Sequence, residues 1–222
     1  MNEFFYDKNN KINIFHLGKP FAHGSCGNVY RINDDTCLKL FGEDAYYNED
    51  AFEIMMNMNL KNFYKVYKML YDDCHEFVAY TMKYYDFEDI DILMMSMSYI
   101  LDNFYGLFES FTKLSDKNIL IQDLHGSNII VNRNAITIID TDMYGFLKEP
   151  SQGEALLANW KSLCYLFRIL FISSISKYHS ELSDVRLIIN NLFDYKNNSS
   201  DVYKKLKTYK YPIDYIRSKR NM

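Results

Sequence analysis

The sequence lacks most of the features that would assign its 222 residues to a specialised class of protein. It contains no internal repeat and no low-complexity linker. The four cysteines show neither paired metal spacing nor the framework of a secreted protein; they are Cys26, Cys37, Cys74 and Cys164. A net charge of −4 and a pI near 5.7 give no general case for nucleic acid as a partner. The basic tail between Lys204 and Arg220 is more typical of a solvated helix face.

The signals of secretion and of membrane insertion are also missing. The first residues, Met1-Asn-Glu-Phe-Phe5, have neither a basic start nor a long apolar run, so no signal peptide is expected. Charges interrupt the longest apolar stretches, and no membrane span is expected. We therefore predict a cytoplasmic protein with reduced cysteines. Hydrophobic residues at 48% and aromatic residues at 17% suffice for the core of one large domain or two small lobes.

A pattern between residues 121 and 142 carries the strongest chemical signal. Two β-branched runs, Ile129–Val131 and Ile136–Ile139, flank a polar turn and predict a hairpin. Asn128 then lies where the first strand begins, and Asp140 lies where the second ends. Their oxygens suit a hard cation such as Mg²⁺, which shares phosphate oxygens. Asp123, on the preceding loop, could accept a proton from an incoming hydroxyl. Taken one at a time, these residues also fit an ordinary hairpin with polar turn caps.

The stretch D-L-H-G-S-N-I-I-V, followed by I-I-D, resembles the catalytic loop and metal-binding acid of the protein-kinase-like superfamily. The resemblance implies that Asp123 is the catalytic base and that Asn128 and Asp140 bind Mg²⁺ beside ATP. His125, where protein kinases usually carry Lys, is similar to the aminoglycoside and choline kinase branch and to small atypical kinases. By the same resemblance it would contact the moving phosphoryl group. Asp140-Thr-Asp142 departs from D-F-G, which leaves Asp142 either as a second metal contact or as a turn cap.

Residues 17–32 predict a strand, a glycine turn and a second strand. Gly24 and Gly27 would let the backbone approach phosphates without an intervening Cβ. The first glycine of G-x-G-x-x-G is replaced by Ala22. The resemblance implies that Ser25, in the same turn, helps to bind the nucleotide and that Val29 covers the adenine ring.

The apolar strand that follows is interrupted by Lys39, which is costly to bury without an anionic partner. The resemblance supplies one, because Lys39 matches the strand lysine that contacts the nucleotide phosphates. A helix is predicted between residues 47 and 60, with Glu53 preferred over Glu49 as the carboxylate that pairs with Lys39. The strand over residues 77–85 would lead to a hinge, where Met82 and Tyr84 line the adenine edge through backbone groups.

The resemblance implies an α+β, bilobal, protein-kinase-like fold. Residues 1–85 would form an N-terminal antiparallel sheet with one helix, and residues 86–222 a minimal, mostly helical C-lobe. A long helix is predicted over residues 90–114 and another over 160–172, with Asn159 at the place where the large helix of the C-lobe usually begins with Asp.

The function implied by the resemblance is ATP- and Mg²⁺-dependent transfer of the γ-phosphoryl group to a hydroxyl, with Ser or Thr of a protein as the preferred acceptor. The first alternative is a small-molecule phosphotransferase of the aminoglycoside or choline type. The second is a nucleotide-binding pseudokinase that acts as a regulatory module. A third, transfer of a nucleotide to a protein, is disfavoured because that variant usually lacks the acid found here at Asp123. Membrane and nucleic acid are not expected as partners, and the oligomeric state is left open.

Overall fold

The computed structural model describes residues 4–7, 10–13, 18–24, 26–43, 45–122, 124–139, 144–146 and 152–222. Within these ranges the chain forms an antiparallel sheet, several short strands and six α-helices, so the predicted α+β class is confirmed. Clustering of contacts divides the chain into two compact units. The first comprises Met1–Asn59, Tyr64–Asp86 and Asp142–Tyr144, and the second comprises Leu60–Phe63, Phe87–Thr141 and Gly145–Met222. The main break at Asp86 adjoins the change of pattern predicted after residue 85, whereas the assignment of residues 60–63 to the second unit was not predicted.

The first unit is built on an antiparallel sheet. Its strands are β1 (Phe4–Asp7), β2 (Asn10–Asn13), β3 (Ala22–Gly24), β4 (Gly27–Arg31), β5 (Thr36–Phe41), β6 (Val66–Tyr71) and β7 (Phe77–Lys83). Five of them lie in the order β6-β7-β5-β4-β3, and the β1–β2 hairpin extends the sheet beyond β6. The β1 contact with β6 is registered at Tyr6 and Tyr71.

Alternation along β5 separates the two faces of this sheet, because successive side chains of a strand point to opposite sides. Leu38 is fully buried with Leu70 and Ala79 on one face. On the other face Phe41 meets Phe52 of the helix α1 (Glu49–Met56), with ring centroids 6.2 Å apart. The helix begins at a conventional cap, because the Asn48 side chain accepts a hydrogen bond from the Ala51 amide at 3.1 Å. It is shorter than the predicted span of residues 47–60.

The second unit is mostly helical. Its helices are α2 (Met97–Asp116), α3 (Gln152–Tyr178), α4 (Arg186–Leu192), α5 (Ser199–Leu206) and α6 (Pro212–Arg220). Its short strands are β8 (Ile119–Ile121), β9 (Ile129–Val131) and β10 (Ile136–Ile138), and β8 pairs with β11 (Tyr144–Phe146). The β9–β10 hairpin lies where the β-branched runs predict it. Aromatic rings fill the core, with Phe104 of α2 5.0 Å from Phe167 of α3 and 5.9 Å from Trp160.

Helix α3 has 27 residues, about twice the length expected from the sequence, because it begins earlier and ends later than the apolar run. By length and composition its stretch Gly153–Tyr178 could cross a membrane, and 44% of the apolar window is buried inside the protein. Core helices of globular proteins pass the same test, so this is weak evidence. The absence of a membrane span stays a prediction.

Candidate functional site

The glycine hairpin of the first unit has a structural reason for one of its two glycines. β3 pairs with β4 from Ala22 opposite Val29 to Gly24 opposite Gly27. Gly27 has a φ of +146°, and a Cβ at that position would lie 2.0 Å from the Leu40 carbonyl oxygen. The close approach of β4 to β5 therefore requires glycine at 27 whether or not a phosphate binds. Ser25, at the tip of the predicted turn, lies outside the described residues.

Lys39 lies at the centre of the sheet. It is opposite Val29 on β4 and opposite Tyr80 on β7. Its side chain is only 1% exposed, and Tyr80 is fully buried. By alternation along β5, Lys39 shares the face of Phe41, the face against which α1 packs. A lysine in such a position needs acceptors or anions around its ammonium group, since burying an unmatched charge is expensive.

The carboxylate predicted to pair with Lys39 is not beside it. Glu53 is exposed on α1, and among the described residues no ion pair joins it to Lys39. Glu49 has a different partner, because the Tyr71 hydroxyl donates a hydrogen bond to its carboxylate at 3.0 Å. Burial, reinforced by this hydrogen bond, raises the pKa of Tyr71 to about 12. Both acids are therefore exposed on α1.

The strand that was predicted to lead to a hinge uses its backbone donors within the protein. Met82 is buried opposite Cys37 in the sheet. The amide of Lys83 donates to the Lys65 carbonyl at 3.0 Å, and the amide of Tyr84 donates to the Asp35 carbonyl at 2.8 Å. The amides of Lys83 and Tyr84 are thus already hydrogen-bonded within the protein, and the role of Met82 and Tyr84 at an adenine edge stays a prediction. The Tyr84 ring lies under Arg31, whose Cζ is 3.9 Å from the ring centroid.

In the second unit, α3 holds the strand that precedes the predicted catalytic loop. Asn159 is 1% exposed. Its Oδ1 accepts from the Ile121 amide at 3.1 Å, and its Nδ2 donates to the Ile119 carbonyl at 2.8 Å and to Ser115 Oγ at 2.9 Å. Two of these three bonds hold the backbone of β8, and the third joins Asn159 to α2.

The loop after β8 makes a tight turn into β9. His125 is exposed, and its Nδ1 lies 2.7 Å from Ser127 Oγ. The His125 carbonyl accepts from the Asn128 amide at 3.0 Å and closes a 3₁₀ turn over Gly126–Asn128. Leu124 is buried and anchors the start of this turn. The loop therefore directs an imidazole to its surface and turns the chain inward at Asn128.

Asn128 is the best-defined candidate ligand of the second unit. It is 5% exposed, and its carbonyl accepts from the Ile139 amide at 2.8 Å. This bond joins the start of β9 to the end of β10, and Ile139 is the residue that immediately precedes Asp140 in the sequence. Asp123, Asp140 and Asp142 lie outside the described residues.

The donor set of this half-site fits magnesium. An amide oxygen and a carboxylate are oxygen donors of the kind that Mg²⁺ takes, with its remaining positions filled by waters and phosphate oxygens. In the described ranges no group of three or more His, Cys, Asp and Glu side chains is arranged to hold a metal.

The sequence analysis did not identify the buried polar residues that support the segments around Asn128. Asn103, Ser110 and Ser115 are buried on the apolar face of α2. Ser115 supports Asn159, and Ser110 Oγ donates to the Lys61 carbonyl at 2.7 Å. The signal was present in the sequence, because a polar residue in the apolar stripe of a helix must find a buried partner. The identity of each partner depends on contacts distant in sequence.

Comparison with protein-family models finds no model that matches the chain, and comparison with curated proteins finds no match either. The functional assignment therefore depends on the residues themselves.

Proposed function

We propose that this chain is an ATP- and Mg²⁺-dependent kinase that transfers the γ-phosphoryl group to a hydroxyl, with Ser or Thr of a protein as the preferred acceptor. The observation that carries the proposal is the hydrogen bond between the Ile139 amide and the Asn128 carbonyl. It supports a shared site for Asn128 and Asp140 at the end of a buried hairpin, just after a loop that contains Asp123. An amide and two acids in this order are what phosphoryl transfer from a metal-bound nucleotide requires.

The first unit supplies a second, independent support. Lys39 is a fully buried cation in the centre of an antiparallel sheet, next to a glycine hairpin on the neighbouring strands. An ammonium group in this position can donate charge-assisted hydrogen bonds to phosphate oxygens, and such bonds are strongest where water is excluded. Glu53 has no part in this version of the proposal, because its side chain is exposed.

The proposed chemistry assigns one task to each residue. Lys39 binds phosphate oxygens of ATP. Asn128 and Asp140 would hold Mg²⁺, which would neutralise charge on the phosphates. The acceptor oxygen bonds to the γ-phosphorus while the bond to the β–γ bridging oxygen breaks and ADP leaves. Asp123 orients the acceptor hydroxyl and takes its proton. His125, exposed beside this loop, contacts the transferred group.

Turnover of labelled ATP by two variants tests the proposal. Asp140→Ala and Lys39→Met should each abolish transfer of the γ-phosphate while the protein stays folded, because each removes a contact to the phosphates or their metal. Lys68→Met is the matched control, since Lys68 is an exposed lysine on β6 of the same sheet. Wild-type turnover in Asp140→Ala, with its folding verified by circular dichroism, would refute the proposal.

The acceptor is identified by the fraction that becomes labelled. Incubation of the purified protein with γ-labelled ATP and a cell extract should label protein bands, or the chain itself, at Ser or Thr. Label found only in small molecules would favour the aminoglycoside- or choline-type alternative. Mg·ATP binding without any transfer would favour the pseudokinase.

A further inference from the structure

The outer edge of β10 has no neighbouring strand within its two-stranded sheet, yet its backbone groups are hydrogen-bonded. The Ile136 amide donates to Asn103 Oδ1 at 2.7 Å, and the Ile136 carbonyl accepts from Asn62 Nδ2 at 2.8 Å. The Ile138 amide donates to the Asn62 carbonyl at 2.8 Å. Ile136 and Ile138 are both fully buried, so these groups have no access to water as an alternative. Asn62 and Asn103 thus make the hydrogen bonds to β10 that a third strand would otherwise make.

The two asparagines are joined to each other and to α2. Asn62 Nδ2 lies 2.6 Å from Asn103 Oδ1, and Asn103 Nδ2 donates to the Tyr99 carbonyl at 2.8 Å. Asn103 is 6% exposed. A Cβ at Gly106, one turn further along α2, would lie 2.2 Å from Asn62 Oδ1. The missing side chain at 106 therefore makes the space that the Asn62 amide occupies.

The backbone at residue 62 is also specific. Asn62 has a φ of +62°, a left-handed conformation that asparagine adopts more readily than most residues. Phe63, the next residue, forms a parallel bridge with Ile138. The segment Leu60–Phe63 belongs to the second unit although it lies between α1 and β6 in the sequence. Its position is therefore defined by the hairpin and α2, the elements that it contacts.

Asn62 and Asn103 contact β10, which belongs to the hairpin that carries the proposed metal ligands. On its inner edge β10 pairs with β9, with Ile138 opposite Ile129, the residue that follows Asn128. On its outer edge it is held by Asn62 and Asn103, and Asp140 follows two residues after Ile138. A displacement of β10 would shift β9 and, with it, Asn128, whose carbonyl accepts from the Ile139 amide at 2.8 Å, and ligands of a metal must be held to within about 0.5 Å.

We propose that Asn62 and Asn103 are positioning residues that set the affinity for Mg·ATP by fixing β10 and, through its pairing with β9, the proposed ligand Asn128. This inference rests on the proposed function. Neither residue contacts the nucleotide in this account. Residues that orient metal ligands typically change metal affinity by about 10- to 100-fold when they are replaced. We expect an effect at the lower end, because Asn62 and Asn103 act on Asn128 through the two strands β10 and β9.

The test uses the full chain with two variants and one control. Asn103→Ala removes the acceptor of the Ile136 amide, and Asn62→Gly removes only the side-chain amide while keeping the left-handed backbone. Asn62→Gly therefore remains informative if Asn103→Ala does not fold. Ser174→Ala is the control, because it removes a buried hydrogen bond of the same unit, from Ser174 Oγ to Asp91 at 2.7 Å.

Two measurements are made on each protein. Amide hydrogen exchange without nucleotide reports whether Ile136 loses protection, and calorimetric titration reports the Kd for Mg·ATP. We expect Asn103→Ala and Asn62→Gly to lose protection at Ile136 and to raise the Kd about 10-fold. Ser174→Ala should change neither quantity.

The possible failures are distinguishable. A variant that loses protection at Ile136 but binds Mg·ATP like the wild type overturns the positioning role and leaves the proposed function intact. A tenfold rise in Ser174→Ala as well would also overturn it, because any loss of stability would then suffice. A wild-type chain that does not bind Mg·ATP refutes the proposed function, and the positioning role with it.

Discussion

Replacement of Asn159 by alanine is the sharpest test of how the second unit holds strand β8, which precedes the proposed catalytic loop. The Asn159 amide makes three hydrogen bonds, two of them to backbone groups of β8. Alanine leaves the Ile121 amide and the Ile119 carbonyl without these bonds in a region that water does not reach, because Asn159 is 1% and Ile119 0% exposed. The substitution thus removes partners and creates no new contact.

The magnitude follows from the two orphaned groups. Each buried donor or acceptor left without a partner costs about 1–3 kcal/mol. Two such groups predict a loss of about 2–6 kcal/mol in the free energy of unfolding of the second unit. This is a large share of the stability of a typical domain, about 5–15 kcal/mol. Ser115→Ala removes the two bonds of Ser115 Oγ, one from Asn159 Nδ2 and one to the Phe111 carbonyl, but it leaves both backbone groups of β8 paired. It should therefore cost only about 1–2 kcal/mol.

Urea unfolding followed by tryptophan fluorescence provides the assay. Trp160 is the only tryptophan of the chain, is 8% exposed and adjoins Asn159, so its emission reports on the unit in question. Hydrogen exchange at the Ile121 amide gives a local check, since this amide should lose protection. A loss below about 1 kcal/mol in Asn159→Ala, or one equal to that of Ser115→Ala, would refute the reasoning.

Three further predictions address the first unit and the cysteines. Gly27→Ala should cost about 2–4 kcal/mol in urea unfolding, since its Cβ would meet the Leu40 carbonyl at 2.0 Å; a neutral result would contradict the strand geometry. Glu53→Gln should leave the Kd for Mg·ATP unchanged, because Glu53 is exposed. A tenfold rise of this Kd in a calorimetric titration would instead support the predicted ion pair between Glu53 and Lys39. Burial raises the pKa of Cys37 to about 11 and that of Cys164 to about 12, so the folded state favours their thiol forms. The contribution of these protonated thiols to the free energy of unfolding is complete below pH 9 and is lost as the pH rises towards these pKa values. Thiol labelling at pH 8 should reach the exposed Cys74 but not Cys37 or Cys164.

Local patterns were sufficient to predict the hairpin and the central strand. The β-branched runs around a polar turn located β9 and β10, and the alternation of residues 37–41 located β5 with Lys39 in it. These features depend on neighbours in sequence, which is why they could be read directly. The helix boundaries were less accurate, because α1 is fixed by a cap at Asn48 and α3 extends past its apolar run in both directions.

The contacts that support the candidate site could not be predicted from local sequence patterns. Asn62 and Asn103 are 41 residues apart, and Asn103 binds the Ile136 amide 33 residues further along the chain. Nothing near Asn62 in the sequence indicates that its backbone is left-handed or that it pairs with a hairpin. The predicted position of Glu53 opposite Lys39 failed to appear for the same reason, since the orientation of α1 follows from tertiary packing and not from its own pattern.

The most direct test of the central claim is the transfer of phosphate from γ-labelled ATP by the wild-type chain and by Asp123→Asn, at saturating Mg²⁺. The substitution keeps the shape of the side chain and removes the group that accepts the hydroxyl proton. We predict measurable transfer by the wild type and a loss of about 10²- to 10⁴-fold in Asp123→Asn, the range expected for removal of a general base. Equal rates for the two proteins would contradict the account.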